Sequence, residues 1–336
     1  MEKFKNPLAK VFVYFYLFVA MFCCLIPFLW SFLNSIKFPV EANAPVPKLW
    51  GFTATFSNYE KLWLYMSAEQ FRPYAIAVGV ILAILVLFYI INKSNNFMSP
   101  NKAGFLIFLA LMLVVIILPN VASMSKFYGY FINSIIVTIG TLVISISIAC
   151  LGGYALARYT GIAGVIILIA ALAFRALPQM SRVLPYYFFG TMTGLYDTHI
   201  LLIIAMVAAN QPFAIWMLRS FFMDIPKEIE EAAMIDGAGR LYAFVKIILP
   251  ITWPGIITTS LFTLLLAYNE FLLPRILTQT NWPLPVAIVS YTSGEDAAYR
   301  TIAAAASFSV TLPIIFVVII FQKYLIKGLT AGAVKG

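Results

Sequence analysis

Acidic side chains are concentrated in one stretch of this chain, from Asp224 to Pro250. Five of the thirteen acidic residues fall between positions 224 and 236, namely Asp224, Glu228, Glu230, Glu231 and Asp236. Charges are expensive to place in hydrocarbon, and this stretch interrupts a half of the chain that is otherwise mostly apolar. The cluster therefore needs water or a polar partner.

Residues that could carry catalysis or hold a metal are scarce. Cys23, Cys24 and Cys150 lie in apolar runs, which gives neither a disulfide framework nor metal-ligand spacing. His199, the only histidine, lies at the edge of an apolar run, a place more typical of an interfacial group than of a ligand. No phosphate-binding loop of the form G-x-x-x-x-G-K-[ST] occurs. The sequence predicts a protein that is not an enzyme, with no catalytic residue, no metal site and no cofactor or ATP site of its own.

Four polar residues within or beside long apolar runs are candidates to line a solute pathway: Asn210, Gln211, Asn269 and Glu270. Buried amides can hydrogen-bond a polar solute, but Asn210 and Gln211 lie beside Pro212, where a bond between helices is an equal alternative. Ionisable groups within a membrane favour a functional hypothesis. For Glu270 the alternative is a structural ion pair at the membrane surface.

The remaining composition is that of an integral membrane protein. The 336 residues are 62% hydrophobic and 10% charged, whereas soluble domains carry about 25% charged residues. A helix that crosses a bilayer needs about 20 apolar residues. The sequence predicts an all-α fold with about eight transmembrane helices, at 11–33, 74–92, 103–119, 131–157, 162–180, 199–218, 251–273 and 301–325. The third is short and the fifth is interrupted by Arg175 and Pro178; Arg175 and Arg182 have the same two interpretations as Glu270.

Eight spans place both termini on one side of the membrane. The segments on that side hold thirteen of the 22 basic residues. Because short cytoplasmic loops are enriched in Lys and Arg, both termini and the acidic stretch are predicted to be cytoplasmic. The net charge of +9 fits such residues better than a nucleic-acid surface, since no basic run occurs.

The acidic stretch predicts two short helices joined by a glycine turn. Asp224 and Pro226 are helix-start signals, and Gly237 suits the left-handed position that ends a helix near Asp236. Helical spacing gives the first helix a flat apolar face, which would fit a groove on another protein. That face consists of Ile229, Ala232 and Ala233.

The second predicted helix is amphipathic, with apolar residues at helical spacing. These residues are Leu241, Phe244, Val245, Ile248 and Leu249. Pro250 and Pro254 are predicted to close this helix before the seventh span. The alternative is an amphipathic segment that lies on the bilayer, although anionic headgroups prefer Lys and Arg to acidic side chains.

One spacing pattern runs through this stretch: Glu231-Ala232-Ala233, three residues, Gly237 preceded by Asp236, nine residues, Ile247, one residue, then Leu249-Pro250. A second pattern is GLTAGAVKG at 328–336, and shorter ones are NYEKLW at 58–63, Asn133-Ser134, YALARY at 154–159 and GLYDT at 194–198. Together these resemble the EAA loop and C-terminal tail of ABC importer permease subunits of the maltose and multiple-sugar family. The resemblance covers most of the chain, but residues about 65–125 depart from the family pattern.

The resemblance implies a domain organisation. Such permeases usually have six spans, so 65–125, with its hairpin at 74–119, resembles an insertion of unknown purpose. The expected parts are then 1–64 with the first span and an outer segment, the insertion, and a permease core at 126–336. That core carries the EAA loop at 224–250 and the tail at 328–336.

The resemblance also implies the partners and residue roles. The EAA loop would dock into a homodimeric cytoplasmic ATPase, which would use ATP and Mg, and closure of that ATPase would drive transport. Glu231 would pair with basic groups, Ala232 and Ala233 would permit close docking, and Gly237 would form the bend. The remaining coupling residues are Asp236, Ile247, Leu249 and Pro250, with Gly332 and Lys335 of the tail reaching toward the ATPase.

The implied assembly is an importer of a sugar or related carbohydrate. Its other members would be a second permease and an extracytoplasmic solute-binding protein, in lipid of a bacterial or archaeal cytoplasmic membrane. The alternative is an ion-coupled secondary transporter of a small polar solute, with Glu270 or Arg175 in the coupling pathway. That alternative leaves the EAA pattern without an explanation.

Overall fold

The protein is described by a computed structural model that covers residues 7–46, 48–64, 68–95, 106, 110, 114, 124–159, 161–292 and 297–331. Across these residues the chain forms helices and loops, and its strand-like pairing consists of two isolated bridges, Lys37 with Ala54 and Leu64 with Met124. In hydrocarbon the backbone cannot bond to water, and a helix satisfies its polar groups within one segment. The long apolar runs within the described residues accordingly fold as helices, as predicted.

The described part of the chain contains fourteen α-helices. In chain order they are α1 (Pro7–Ser35), α2 (Pro39–Ala42), α3 (Ser57–Trp63), α4 (Ala68–Asn95), α5 (Lys126–Arg158), α6 (Ile162–Arg175), α7 (Gln179–Thr193), α8 (His199–Met223), α9 (Lys227–Ile235), α10 (Arg240–Ala243), α11 (Leu249–Tyr268), α12 (Leu272–Leu277), α13 (Leu284–Thr292) and α14 (Ala297–Ala331). A π-helical turn, Phe244–Ile248, joins α10 to α11.

Within the described residues, six helices are long and apolar enough to cross a membrane. They are Lys10–Ser35, Arg72–Asn92, Lys126–Arg158, His199–Met223, Arg240–Tyr268 and Tyr299–Leu325. Each matches one of the predicted spans, which confirms a multi-pass membrane protein. The third predicted span, 103–119, falls almost entirely outside the described residues, so the count of eight and the side of the termini stay predictions.

The fifth predicted span, 162–180, is not one straight helix. α6 ends at Arg175, α7 begins at Gln179, and the two are bent by 95°. Pro178 causes the break, because its ψ of 136° is extended and a proline disfavours helical backbone at the residue before it. The pair is therefore a broken span or a re-entrant segment.

The predicted closure of the second loop helix by Pro250 and Pro254 is wrong. α10, the π turn and α11 form one continuous helical segment, Arg240–Tyr268, that includes both prolines. A proline ring clashes with the carbonyl four residues earlier in an α-helix, and the wider π turn directly before Leu249 gives Pro250 room. The acidic stretch is thus continuous with the seventh span.

One compact unit of the chain comprises Met1–Gly129 and Ile288–Val310. Its polar centre is Asn58, whose amide donates to the carbonyl oxygens of Ser35 (2.9 Å) and Lys37 (2.8 Å). The Asn58 oxygen accepts from the hydroxyl of Thr301 at 3.1 Å. All four residues are buried. Asn58 belongs to the NYEKLW motif, so this motif joins three separate segments within the unit.

Lys37 is an uncommon buried lysine in the same unit, 1% exposed. Its ammonium nitrogen lies 5.0 Å and 5.1 Å from the ring centres of Trp30 and Phe52 and donates to Asn34 at 3.2 Å. Burial lowers the pKa of Lys37, while Glu41 opposes that shift. The rings and the amide stabilise the charged form where water does not reach it.

The other unit comprises Tyr130–Ala287 and Thr311–Gly336 and contains two hydrophobic clusters. The first consists of Val137, Val183, Leu201, Leu202, Ala205, Met206, Ala267, Leu273 and Leu277. The second consists of Ala149, Cys150, Ala157, Ala214, Leu218, Phe222, Ile225, Phe244 and Ile248. At Gly153 an added Cβ would lie 3.0 Å from the backbone nitrogen of Arg219, so the small residue permits close packing of α5 on α8.

Candidate functional site

The first helix of the acidic segment (residues 224–250) is α9. As predicted, Gly237 takes the left-handed position that ends this helix. Gly237 has φ +87°, which favours glycine. The amide of Gly237 donates to the carbonyl of Met234 at 3.1 Å, and the amide of Ala238 donates to that of Ala233 at 3.0 Å. This bond pair is a Schellman motif, which ends the helix and turns the chain toward α10.

Glu230, rather than Glu231, anchors α9 to the rest of the unit. It is 7% exposed, and its Oε2 lies 2.8 Å from Nε of Arg158, the last residue of α5. The hydroxyl of Tyr154 donates to the other carboxylate oxygen. Nη1 of Arg158 donates to the carbonyls of Phe222 (3.2 Å) and Ile225 (3.3 Å). One carboxylate thus links α9 to α5, and Arg158 extends that link to the end of α8.

The outer face of α9 differs from the predicted one at Ala233. Ala233 is buried, whereas Ala232 and Ile229 are exposed. The reason is the rotation of α9: Glu230 and Ala233 lie one turn apart and pack inward together. Glu231, Asp236 and Gly237 are exposed, so they stay available to a partner while Ala233 does not.

A cleft of about 460 Å³ lies between the end of α5 and α9. It carries charges of both signs at its rim, with Glu231 and Lys227 from α9 and Arg240 from α10. Glu230, Arg158 and Tyr154 also line it. The arrangement supplies a polar recess next to an exposed acidic helix, which is suited to binding a protein side chain.

The connection from the acidic segment to α11 is packed on aromatic rings. Phe244 is buried, with its ring centre 4.5 Å from that of Tyr154 and 6.2 Å from that of Phe222. Ile248 is buried in the same cluster, whereas Leu241 and Val245 of the predicted apolar face are exposed. Of the other predicted coupling residues, Ile247 and Leu249 are half-buried and Pro250 is exposed. Gly332 and Lys335 lie outside the described residues.

Of the four candidate pathway residues, two line the same cavity and the other two lie at separate places. Asn210 and Glu270 line one cavity of about 340 Å³. Gln211 instead accepts from the Ser145 hydroxyl (3.2 Å) and donates to the Ser145 carbonyl (3.3 Å), which is the alternative of a bond between helices. Asn269 is exposed and donates to the carbonyl of Leu265 at 2.9 Å.

Two features of the site were missed at the sequence level. The anchoring role of Glu230 had only one signal, a basic residue at the end of the YALARY motif. Arg175 and Arg182, which the sequence leaves open to two interpretations, lie in the same cavity as Asn210 and Glu270. These residues come together because of the bend at Pro178, and the hydrophobic periodicity of the sequence does not predict that bend.

His199, the first residue of α8, contacts α5. Its Nε2 lies 2.9 Å from Oδ1 of Asn133, and the amide of Asn133 donates to the carbonyl of Trp282 at 3.2 Å. No group of three metal-ligating side chains occurs among the described residues. The Asn133-Ser134 pair thus holds α5 against the segment before α13, since Ser134 also accepts from the amide of Leu284 at 2.7 Å.

The apolar helices define the class of this protein as a multi-pass membrane protein. Residues 76–331 match the family described as "Binding-protein-dependent transport system inner membrane component". That range is most of the chain, and the chain belongs to this family. The resemblance to importer permeases is thereby confirmed.

Two curated relatives resemble the chain over most of their own length. The trehalose transport system permease protein SugB of Mycobacterium tuberculosis is 34% identical over 76% of this chain and 93% of its own. The trehalose/maltose transport system permease protein MalG of Thermococcus litoralis is 35% identical over 62% of this chain and 76% of its own.

A solved structure of a bacterial ABC transporter involved in the import of the acidic polysaccharide alginate has a similar fold. One of its chains aligns with a TM-score of 0.65 and 20% identity, over 96% of this chain and 99% of that chain. At this identity the likeness concerns the fold.

Proposed function

We propose that this chain is the permease subunit of an ATP-driven importer of a sugar or related carbohydrate and forms half of the translocation pathway. The family and the trehalose and maltose relatives support this proposal. The observation that carries it is the continuity of the acidic segment with a span: α10, the π turn and α11 form one helical segment, Arg240–Tyr268. An exposed helix joined in this way to a membrane helix suits a coupling element.

Coupling would proceed through the outer face of α9. Glu231 and Asp236 would pair with basic groups of a homodimeric cytoplasmic ATPase, which holds ATP and Mg, while Ala232 permits close approach. The inner face holds α9 to α5 through Glu230 and Arg158. A pull on α9 therefore moves α5, α8 and α11 together, because residues of these three helices pack in one hydrophobic cluster that includes Phe222 and Phe244.

The moving helices lead to the candidate pathway. α11 ends at Tyr268, two residues before Glu270, and Glu270 and Asn210 line one cavity. Movement of α11 would change the access to that cavity. The complete pathway requires a second permease subunit, and delivery of the solute requires an extracytoplasmic solute-binding protein. The assembly would lie in the cytoplasmic membrane of a bacterium or archaeon, with the acidic segment facing the cytoplasm.

Substitution on the outer face of α9 tests this function. Glu231→Lys reverses an exposed charge, and Gly237→Asp puts a side chain and a charge at the left-handed turn. Both variants are expected to abolish ATP-driven uptake and co-purification with the ATPase while membrane insertion is unchanged. Glu228→Lys is the matched control, because Glu228 is also exposed on α9 but lies outside the EAA pattern.

Full uptake by both variants would contradict the docking role. Uptake that persists after ATP depletion and collapses with an uncoupler would instead support the ion-coupled transporter, which neither the family nor the relatives favour.

A further inference from the structure

The bend between α6 and α7 brings two arginines into one polar cavity. The cavity has a volume of about 340 Å³, and the residues that matter here are Arg175, Gln179, Arg182, Tyr186, Asn210 and Glu270. A second cavity of about 380 Å³ also includes Arg175, Arg182 and Tyr186 in its lining. Both arginines therefore line two cavities.

The position of Arg175 along its helix indicates membrane depth. α6 has 14 residues, which is about 21 Å of helix and shorter than a hydrocarbon core of about 30 Å. Non-helical backbone at such a depth is tolerated where it is buried in protein or lines a water-filled cavity. Broken helices of this kind are also where transporters build solute sites.

Neither arginine is fully satisfied by the described part of the chain. Nη1 of Arg175 and Nε of Arg182 are buried and have no hydrogen-bond partner there. The ion pair found among the described residues is that of Arg158 with Glu230, so neither arginine has a carboxylate partner in that part of the chain. The Phe213 ring, 4.8 Å from the guanidinium carbon of Arg175, covers one face and accepts no conventional hydrogen bond.

Glu270 shares the cavity but is already engaged by backbone. Its Oε1 accepts from the amides of Leu272 (3.1 Å) and Leu273 (3.3 Å) at the start of α12. Two guanidinium groups and one carboxylate give the cavity a net formal charge of +1. Guanidinium groups without a carboxylate partner are unfavourable in such a place, and an anion that supplies acceptors would form charge-assisted bonds with the nitrogens of both arginines that face the cavity.

We propose that this cavity binds the carboxylate of an acidic sugar, with Arg175 and Arg182 as its ligands. The inference rests on the proposed function, since it assigns a substrate class to the pathway of a sugar importer. A monoanionic carboxylate balances the net charge of +1, whereas a phosphate dianion would leave the cavity with a net negative charge. Gln179, Asn210 and Tyr186 supply amide and hydroxyl groups for the sugar hydroxyls. The cavity volume lies within the range of about 300–1,000 Å³ that is usual for small ligands.

Calorimetric titration of the purified, assembled transporter without nucleotide tests the inference. The probes are D-glucuronate and D-glucose, which share a ring and differ in a carboxylate, with inorganic phosphate as the third. We expect glucuronate to bind about tenfold more tightly than glucose, and Arg175→Gln and Arg182→Gln each to remove about that factor for glucuronate alone. Arg219→Gln is the matched control, because Arg219 also lies in a span but donates to the carbonyl of Leu156.

Several results would overturn the inference. These are absence of glucuronate binding, equal affinity for glucose, phosphate binding as tight as that of glucuronate, or unchanged glucuronate affinity in both cavity variants. Loss of the second permease subunit from the Arg175→Gln and Arg182→Gln complexes on size exclusion would show instead that a partner carboxylate pairs with the arginines. The proposed function is tested separately, by ATP-driven uptake in vesicles. The titration is carried out without nucleotide, so a failure of uptake and a failure of binding are distinguishable.

Discussion

Arg158, beneath the acidic segment, and Arg175, at the bend after α6, belong to one compact unit but differ in what their guanidinium groups contact. Each is the last residue of an apolar helix. Arg158 pairs with Glu230 at 2.8 Å and also donates to two carbonyls, which leaves only its Nη2 without a partner among the described residues. Arg175 lies against a ring and a cavity.

The difference shows that the following segment, rather than the helix end, decides the role of such an arginine. After α5 the chain returns with α9 and offers a carboxylate, which makes Arg158 a structural link. After α6 the chain turns by 95° and opens a cavity, which leaves Arg175 to a ligand. The first region holds its elements together, and the second keeps binding capacity available.

The largest effect on stability is expected from breaking the Arg158–Glu230 pair. Removal of one partner of a buried ion pair leaves an uncompensated charge, which typically costs about 3 kcal/mol or more. Glu230→Ala should therefore lower the Tm of the purified transporter strongly and loosen α9, with loss of ATPase binding. Arg175→Ala should leave the Tm nearly unchanged, because no carboxylate in the described part of the chain loses a partner.

Glu231→Ala is the matched control for Glu230→Ala. Glu231 is exposed on the same helix, so its removal should affect ATPase binding with little change in Tm. Equal Tm values for the Glu230→Ala and Glu231→Ala variants would break the distinction between the inner and the outer face of α9. A larger loss of Tm for Arg175→Ala than for Glu230→Ala would reverse the comparison between the two regions.

A smaller effect is expected at the turn that ends α9. Gly237→Ala forces an L side chain to adopt φ +87°, which costs about 1 kcal/mol. Gly239→Ala is the control, because Gly239 has an ordinary φ of −70° and no heavy atom within 4 Å of an added Cβ. The Tm of the two variants measures the difference. Equal values would show that the partnered charges, and not the backbone turn, hold the acidic segment in place.

The sequence predicted those features that depend on local chemistry. Apolar length located six of the spans, and a glycine after an acidic helix located the left-handed turn at Gly237. Glu228, Glu230 and Glu231 look alike in the sequence, however, because the choice of the buried one depends on how α9 is rotated against α5. The same limit explains Ala233, which the pattern placed on the outer face.

The prolines give a misleading signal for a related reason. Pro250 signals the end of a helix in isolation, but the π turn before it keeps the segment continuous. Pro178 breaks α6 from α7, and only the resulting bend brings Arg175, Arg182 and Glu270 to one cavity. Tertiary geometry therefore decides which proline bends a span and which is absorbed by it.

An effect as small as that at Gly237 is expected at Asp197, a carboxylate that is partnered like Glu230 but by neutral groups. Its Oδ1 accepts from the amides of Gln279 (2.9 Å), Thr280 (3.0 Å) and Asn281 (3.3 Å), and its Oδ2 accepts from the Thr280 hydroxyl at 2.6 Å. Partial burial alone raises the pKa of Asp197, but these hydrogen bonds outweigh it and lower the pKa below its ordinary value. The charged form is therefore the one that the fold stabilises.

The sign of the pH dependence follows from this lowered pKa. The stabilisation by Asp197 is complete above the unfolded pKa of about 3.9 and is lost as the pH falls through the folded pKa. Asp197→Asn, which tolerates the φ of 62° at this position, should lower stability by about 1 kcal/mol at neutral pH and flatten the decrease of Tm below about pH 4. Asp236→Asn, at an exposed carboxylate, should leave that decrease unchanged. The Asp197→Asn variant and the unaltered protein could instead lose Tm equally on acidification. That result would show that hydrogen bonds from neutral groups do not stabilise the charged form of Asp197, in contrast to the role of Arg158 at Glu230.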